Sequence, residues 1–510
     1  MSGDLFARFE ATVAARPDHP ALVCASGTVS FGALRSAALG VAGALTDLGL
    51  KPADRVIVWV DNSPGTAAVL LGIWALGAIP VLLDTSEPFA HLANAITRVS
   101  PSLIVHQPGA VLPAGDHGVR VVEAPSRALE QRPSGSARIP TDPASIVFTS
   151  GSTGHPKGVT QSHGTLARGC AAVGGYLGLH ADDRLLCPIP WAFDYGYGQL
   201  LTTCLFGVTQ IVPAAFNPFG ICAAITAHHP TVFAGLPALF TYLFRGVSPI
   251  RTTDLSSVRI VTNTGGTIPG PVLDELLSAF GAAKLFLNYG LTESYRTAFL
   301  PPALARQHPT SIGAGIPGVD VVIVREDDTI AAPGEEGQIV HRGDYLFTGY
   351  WGDPDATAKA LRPDPLAVPG SPLRHLVLYT GDFGVIEEGR LYFRGRRDHQ
   401  LKSMGVRVNA SEIEALIHRS GLVTELAIIG VEHDLLGHEI WAFLVGAPGV
   451  DDPSRALAAW GRANLSQYML PRRFVCKDVL PKTKNNKVDY PKLRAEAAEK
   501  PSKPMVRAAP

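Results

Sequence analysis

The chain has 510 residues, with 44 Lys+Arg against 45 Asp+Glu and a formal net charge of -1. That balance excludes a general nucleic-acid binder, which needs a strong basic field, and the length holds roughly three ordinary domains. A hydrophobic share of 46% with 52 Gly and 41 Pro describes a large folded protein rich in turns, not a disordered one.

The opening MSGDLFARFE lacks the basic-then-apolar pattern of a signal peptide. Arg55–Val60 reads as a strand and Thr66–Leu76 as a helix. The most apolar stretch, Ala67 to Leu83, is broken by Gly72, Gly77 and Pro80. It is shorter than the ~20 residues of a membrane span, so it reads as a buried helix followed by a core strand. A cytoplasmic enzyme without membrane association is expected. Residues 108–118 and 131–143 are rich in Pro, Gly, Ser and Asp and read as surface loops. Ser145–Thr149, Val258–Thr262 and Val319–Val324 read as strands and Pro271–Phe280 as a helix. Strands alternating with helical stretches predict an α/β architecture of β-sheets covered by helices. Near residue 395 the chain turns polar and charged. A helix, Ala410–Ser420, and strand-like runs, Leu426–Val431 and Ile440–Val445, then suffice for a small α+β domain. The expected division is 1–396, 397–497 and a disordered tail, 498–510. Six scattered cysteines form no CxxC pair, which excludes a zinc ribbon and argues against a disulfide framework.

The strongest local signal is Thr149-Ser-Gly-Ser-Thr-Gly-His-Pro-Lys-Gly158, which follows an apolar strand. Three glycines and several hydroxyls on a tight loop can offer N–H and O–H groups to phosphate oxygens, and Lys157 adds a cation. It is not a Walker A loop, because Gly158, not Ser or Thr, follows the lysine.

This string resembles the phosphate loop of the adenylate-forming (ANL) superfamily: acyl-CoA synthetases, adenylation domains of peptide synthetases, and luciferases. The resemblance runs from about residue 5 to 495, because further motifs follow in the family's order. They are Asn288-Tyr-Gly-Leu-Thr-Glu-Ser294, Gly334-Glu-Glu-Gly-Gln-Ile339, Tyr379-Thr-Gly-Asp-Phe-Gly384, Gly395-Arg-Arg-Asp398 with Lys402-Ser-Met-Gly-Val-Arg407, and Pro481-Lys-Thr-Lys-Asn-Asn-Lys-Val-Asp489. It implies a large N-terminal body, a small mobile C-terminal cap, and ATP and Mg2+ as requirements. It implies that Thr149, Ser150, Gly151, Ser152, Thr153 and Gly154 cradle phosphates, with Gly265 and Gly266 close to the nucleotide. Tyr289 would stack on adenine, with Asn288 and Gly290 beside it. Thr292 would bind the α-phosphate and Glu293 would hold Mg2+, a hard cation suited to a carboxylate. Asp382 would accept the ribose hydroxyls, with Arg396 donating to the same ribose. Asp398 matches the hinge position. Lys487 matches the lysine that neutralises developing charge during adenylation. Asn486 replaces the usual glycine before it, and Asn tolerates a left-handed backbone.

The same resemblance bears on substrate. In amino-acid-activating members a Phe-Asp pair binds the substrate ammonium, and Phe193-Asp194 matches it. The acid pocket would be lined by Asp194, Tyr195, Gly198, Ala234, Thr262, Thr264, Arg296 and Thr297. Arg296 could meet an acidic group on the substrate or pair with Asp194, and the second case would remove the ammonium argument. No carrier domain follows Lys487. The expectation is therefore a thioester made on the phosphopantetheine of a discrete carrier protein. The alternative is an acyl- or aryl-CoA ligase using coenzyme A. A catalytically silent nucleotide- or acyl-binding member is the remaining reading.

Overall fold

The computed structural model describes residues 4–85, 89–112, 115, 117–125, 131, 137–149, 156–371, 375–396, 400–403, 406–433, 437–465, 467, 469–483 and 487–499. The chain forms two compact units. The first runs to residue 392 without 269–271 and 382–384, and those two segments go with 393 onward in the second.

In the first unit, the apolar stretch becomes the helix Pro64–Ala75 and the strand Ile79–Asp84. The helix starts two residues before its expected position because Ser63 caps it, its Oγ accepting from Thr66 N at 3.2 Å, with Pro64 next. Every residue from Thr66 to Ala75 is buried. It packs on the helix Phe31–Asp47 so closely that a Cβ on Gly72 would sit 2.7 Å from Ala38 O. None of the described helices is long and apolar enough to cross a membrane.

Two large sheets organise this unit. One has seven strands, with a parallel core of Ile79–Asp84, Arg55–Val60 and Leu103–His106 flanked by Pro143–Thr149. Lys157–Ser162 and Gly349–Tyr350 extend it antiparallel. The other has fourteen strands. Its parallel stretch includes Arg184–Leu186, Val232–Gly235, Ile260–Asn263 and Lys284–Tyr289. These strands read as apolar runs because helices cover both faces. Three sequence boundaries shift. Val258 sits in a turn, its N–H bonded to Leu255 O, so the strand starts at Ile260. The helix expected at Pro271 covers Gly270–Ala279, and the strand that follows the second loop already begins at Pro143.

The second unit has a five-stranded sheet whose long hairpin, Val423–His433 with Gly437–Gly446, packs on the helix Ala410–His418. Glu499, expected in the tail, closes the helix Tyr490–Glu499. Residues 500–510 lie outside the described residues.

Candidate active site

Parallel strands deliver their C-terminal ends to one edge, where ligands of open α/β sheets bind. Register fixes which residues meet there: Ala234 lies beside Thr262, and Gly235 beside Asn263. Thr262, Asn263, Thr264 and Asn288 are all buried. The Asn288 amide ties the ends together. Its Nδ2 donates to Thr262 Oγ1 at 2.9 Å and Asn263 O at 2.9 Å, and its Oδ1 accepts from Tyr176 Oη at 2.6 Å. Tyr289 continues the same strand. Gly265 follows at φ 82°, a left-handed backbone that favours glycine.

Two helices pack against these strands. His163–Leu177 is capped by Ser162 at one end and left-handed Gly178 at the other. Asp194–Phe206 begins on Asp194 itself, so the helix N-terminus favours that carboxylate. Tyr195 Oη donates to Thr262 O at 3.0 Å, and burial pushes its phenol up. Tyr295 has φ 53°, an outlier for a bulky residue. Its ring fits where glycines leave room: a Cβ on Gly169 would lie 2.6 Å from the ring, and one on Gly198 3.4 Å from the hydroxyl.

Arg296 is 6% exposed, and its guanidinium lies 5.3 Å over the Tyr195 ring. Its buried Nε has no hydrogen-bond partner, and it makes no ion pair among the described residues. It is therefore not the ion-pair partner of Asp194. The Tyr295 phenol is raised well above its usual value by burial first. The field of Arg296 lowers it and that of Asp194 raises it.

A second cluster lies around Thr149 and Lys157. Thr149 pairs with Lys157 across the hairpin that the loop closes. Lys157 Nζ lies 4.9 Å from the centroid of the Tyr350 ring, whose hydroxyl donates to Glu293 Oε1 at 2.8 Å. Gln161 Nε2 donates to Thr292 O at 3.0 Å. Behind them Thr297 Oγ1 lies 3.0 Å from His341 Nδ1, while His341 Nε2 lies 2.7 Å from Asp344 O. Burial pushes the His341 imidazole down to about 4, so it is neutral at pH 7. Nε2 then donates to the carbonyl, and Nδ1 accepts from Thr297.

Tyr176, Gln161, His341 and Tyr350 were not among the expected site residues. The one sequence signal for Tyr350 is an aromatic pair after glycine, Gly349-Tyr-Trp351.

Asp382 and Lys487 belong to the second unit. Asp382 is buried on the strand Leu376–Glu387. Lys487 is exposed on a turn. Thr483 N donates to Lys487 O at 2.6 Å, and Lys482 bridges Val488. Both flanks are anchored on carboxylates. Lys482 Nζ lies 2.8 Å from Glu425 Oε1, and Tyr490 Oη donates to Glu414 Oε1 at 2.7 Å. Ser150, Gly151, Ser152, Thr153, Gly154, Asp398 and Asn486 lie outside the described residues, as does the side chain of Arg396.

No group of three or more His, Cys, Asp or Glu able to hold a metal occurs among the described residues. Mg2+ does not need one, since one or two carboxylates beside phosphate oxygens suffice, and Glu293 fits that donor set.

The family model described as AMP-binding enzyme matches residues 9–351, and that of the AMP-binding enzyme C-terminal domain matches 412–487. The 3-[(3aS,4S,7aS)-7a-methyl-1,5-dioxo-octahydro-1H-inden-4-yl]propanoyl:CoA ligase of Mycobacterium tuberculosis is 30% identical, over 94% of this chain and 96% of its own. The L-proline--[L-prolyl-carrier protein] ligase of Streptomyces coelicolor is 28% identical, over 97% of each. ATP-bound MatB from Rhodopseudomonas palustris superposes with a TM-score of 0.85 at 26% identity, over 97% of this chain and 99% of that one.

Proposed function

The chain belongs to the AMP-binding enzyme family, and from that premise we propose that it activates an amino or aminoacyl acid and loads it onto the phosphopantetheine thiol of a separate carrier protein. Membership gives the class: an ATP-dependent, AMP-forming carboxylate ligase.

In the first half-reaction a carboxylate oxygen of the acid attacks the α-phosphorus of ATP and pyrophosphate leaves. The hairpin Pro143–Ser162 presents the phosphate loop, with Thr149 and Lys157 at its base. Lys157 balances phosphate charge, and Thr292 donates to the α-phosphate. Tyr289 and Gly290 receive adenine, Asn288 holds the strand ends that carry them, and Asp382 with Arg396 receives the ribose. Mg2+ when bound supplies charge neutralisation, with Glu293 as its protein ligand. Lys487 neutralises charge that develops between carboxylate and α-phosphate. The acyl-adenylate is a mixed anhydride. In the second half-reaction a thiolate attacks its carbonyl, the thioester forms and AMP leaves. With Asp398 as hinge, residues 397–497 would serve both steps.

The observation that carries the amino reading is that Asp194 opens the helix that also carries Tyr195 and Gly198, and that Arg296 is not its ion-pair partner. A carboxylate in that place can meet a substrate ammonium. The Streptomyces relative, a carrier-protein ligase, supports the carrier as acceptor. The Mycobacterium relative favours a second reading, in which coenzyme A takes the acyl group.

Substrate-dependent ATP–pyrophosphate exchange over α-amino, β-amino, fatty and aryl acids tests the reading. Exchange with an amino acid, weakened at least tenfold by Asp194→Ala, is expected. Exchange only with a fatty or aryl acid would sink it. Mass spectrometry of a holo-carrier protein and of coenzyme A after turnover separates the two acceptors.

A further inference from the structure

We propose that Tyr350 is a positioning residue that keeps Lys157 and Glu293 apart and individually available, one for phosphate and the other for a divalent cation. This rests on the roles given above to those two residues. The phenol lies between opposite charges: the Lys157 ammonium is 4.9 Å from its ring centroid, and its hydroxyl donates to Glu293 Oε1 at 2.8 Å. Lys157 and Glu293 form no ion pair among the described residues. A direct pair would satisfy each charge with the other, and nucleotide and metal would have to break it. With a phenol interposed, the cation keeps a soft π contact that phosphate can outcompete. The carboxylate keeps one fixed hydrogen bond on Oε1, which leaves Oε2 for a hard cation.

The ring is held without help from either charge. Gly349 and Tyr350 pair with Thr160 and Val159, and Trp351 N donates to Gly158 O at 2.8 Å. Tyr350 N donates to Thr357 Oγ1 at 2.9 Å. Phe347 meets the ring edge-on at 5.0 Å. Phe347 N also donates to Glu293 O at 2.8 Å, so one short segment holds the metal-side backbone and the loop-exit strand together. Gly349 permits this approach: its φ is 140°, and a Cβ there would lie 2.8 Å from Thr357 Cγ2.

The test is calorimetric binding of ATP to the full chain, with Mg2+ and with EDTA. Tyr350→Phe keeps the ring and loses the hydroxyl. It should leave ATP affinity in EDTA within about twofold and cut the Mg2+ enhancement about 10-fold or more, as for loss of one hydrogen bond to a charged group. Tyr350→Leu should weaken binding under both conditions. A wild-type Mg2+ enhancement in Tyr350→Phe, or an equal loss in EDTA, overturns the proposal. Glu293→Gln is the control. If it also keeps the full enhancement, the assignment of Glu293 to the metal has failed and the proposal with it. If Glu293→Gln loses the enhancement and Tyr350→Phe does not, only the role of Tyr350 has failed.

Discussion

The candidate site residues on the strand ends of the first unit and Lys487 of the second are held in different ways. In the first, Asn288, Thr262 and Glu293 are fixed by hydrogen bonds to strand ends and to tyrosines packed behind them. In the second, Lys487 stands exposed on a turn whose flanks are anchored on Glu425 and Glu414. A group set into a wall has its geometry before ligand arrives, which favours electrostatic preorganisation. A group on an anchored turn can serve one step and be withdrawn from the next. On the roles proposed above, the difference would separate a constant binding surface from a conditional charge.

The sharpest way to break that comparison is Lys487→Ala. It should lower adenylation by about 10²- to 10³-fold, while thioester formation from supplied acyl-adenylate changes only severalfold. Equal losses in the two half-reactions would show that Lys487 is not conditional.

Tyr490→Phe removes the hydroxyl that ties the turn's far flank to Glu414. Adenylation kcat should fall roughly 3- to 10-fold with KM for ATP little changed. A rise in KM alone would place the anchor on binding instead.

A further effect is on stability, and its sign differs between the units. His341 is neutral and buried, its pKa pushed down to about 4. Its contribution is present above pH 6.5 and is lost as pH falls through 4, on the order of 3 kcal/mol. Glu414 is pushed up to about 7 by burial, against hydrogen bonds from Ile428 N and Tyr490 that favour its charge. Its contribution is present below about 4.5 and is lost as pH rises through 7. Part exposure reduces this to on the order of 2 kcal/mol. His418, one turn along the same helix and lowered by burial, acts in the opposite sense. Each effect is therefore read as a difference from His341→Gln or Glu414→Gln in thermal melts from pH 4 to 8. Parallel curves for wild type and Glu414→Gln would remove the contrast.

Much of this was legible in the sequence, for physical reasons that also explain the gaps. The apolar run after Ser63 and the short β-rich runs follow from local periodicity, and the order of motifs pointed to the reaction class. The chemistry of single loops is local, so Lys157, Glu293 and Lys487 could be proposed from their strings and the family resemblance those strings carry. The residues that hold them could not. Gln161 meets Thr292 131 positions away, Tyr176 meets Asn288 112 away, and Tyr350 meets Glu293 57 away. Such partners are brought together by sheet order, which no window of sequence contains. The relation of Asp194 to Arg296 was open for the same reason. Arg296 owes its setting to the left-handed turn at Tyr295, where nothing in the residue type announces a positive φ.

The hairpin that closes the phosphate loop limits how such a loop can change length. Thr149 and Lys157 face each other across the antiparallel pair, and side chains alternate faces along each strand. A single deletion between them, taken up by slippage, would turn Lys157 to the opposite face of the sheet and away from Tyr350. Removing two residues would restore its side. The segment between them thus carries a parity, and successful natural or engineered variants should differ from it in length by even steps.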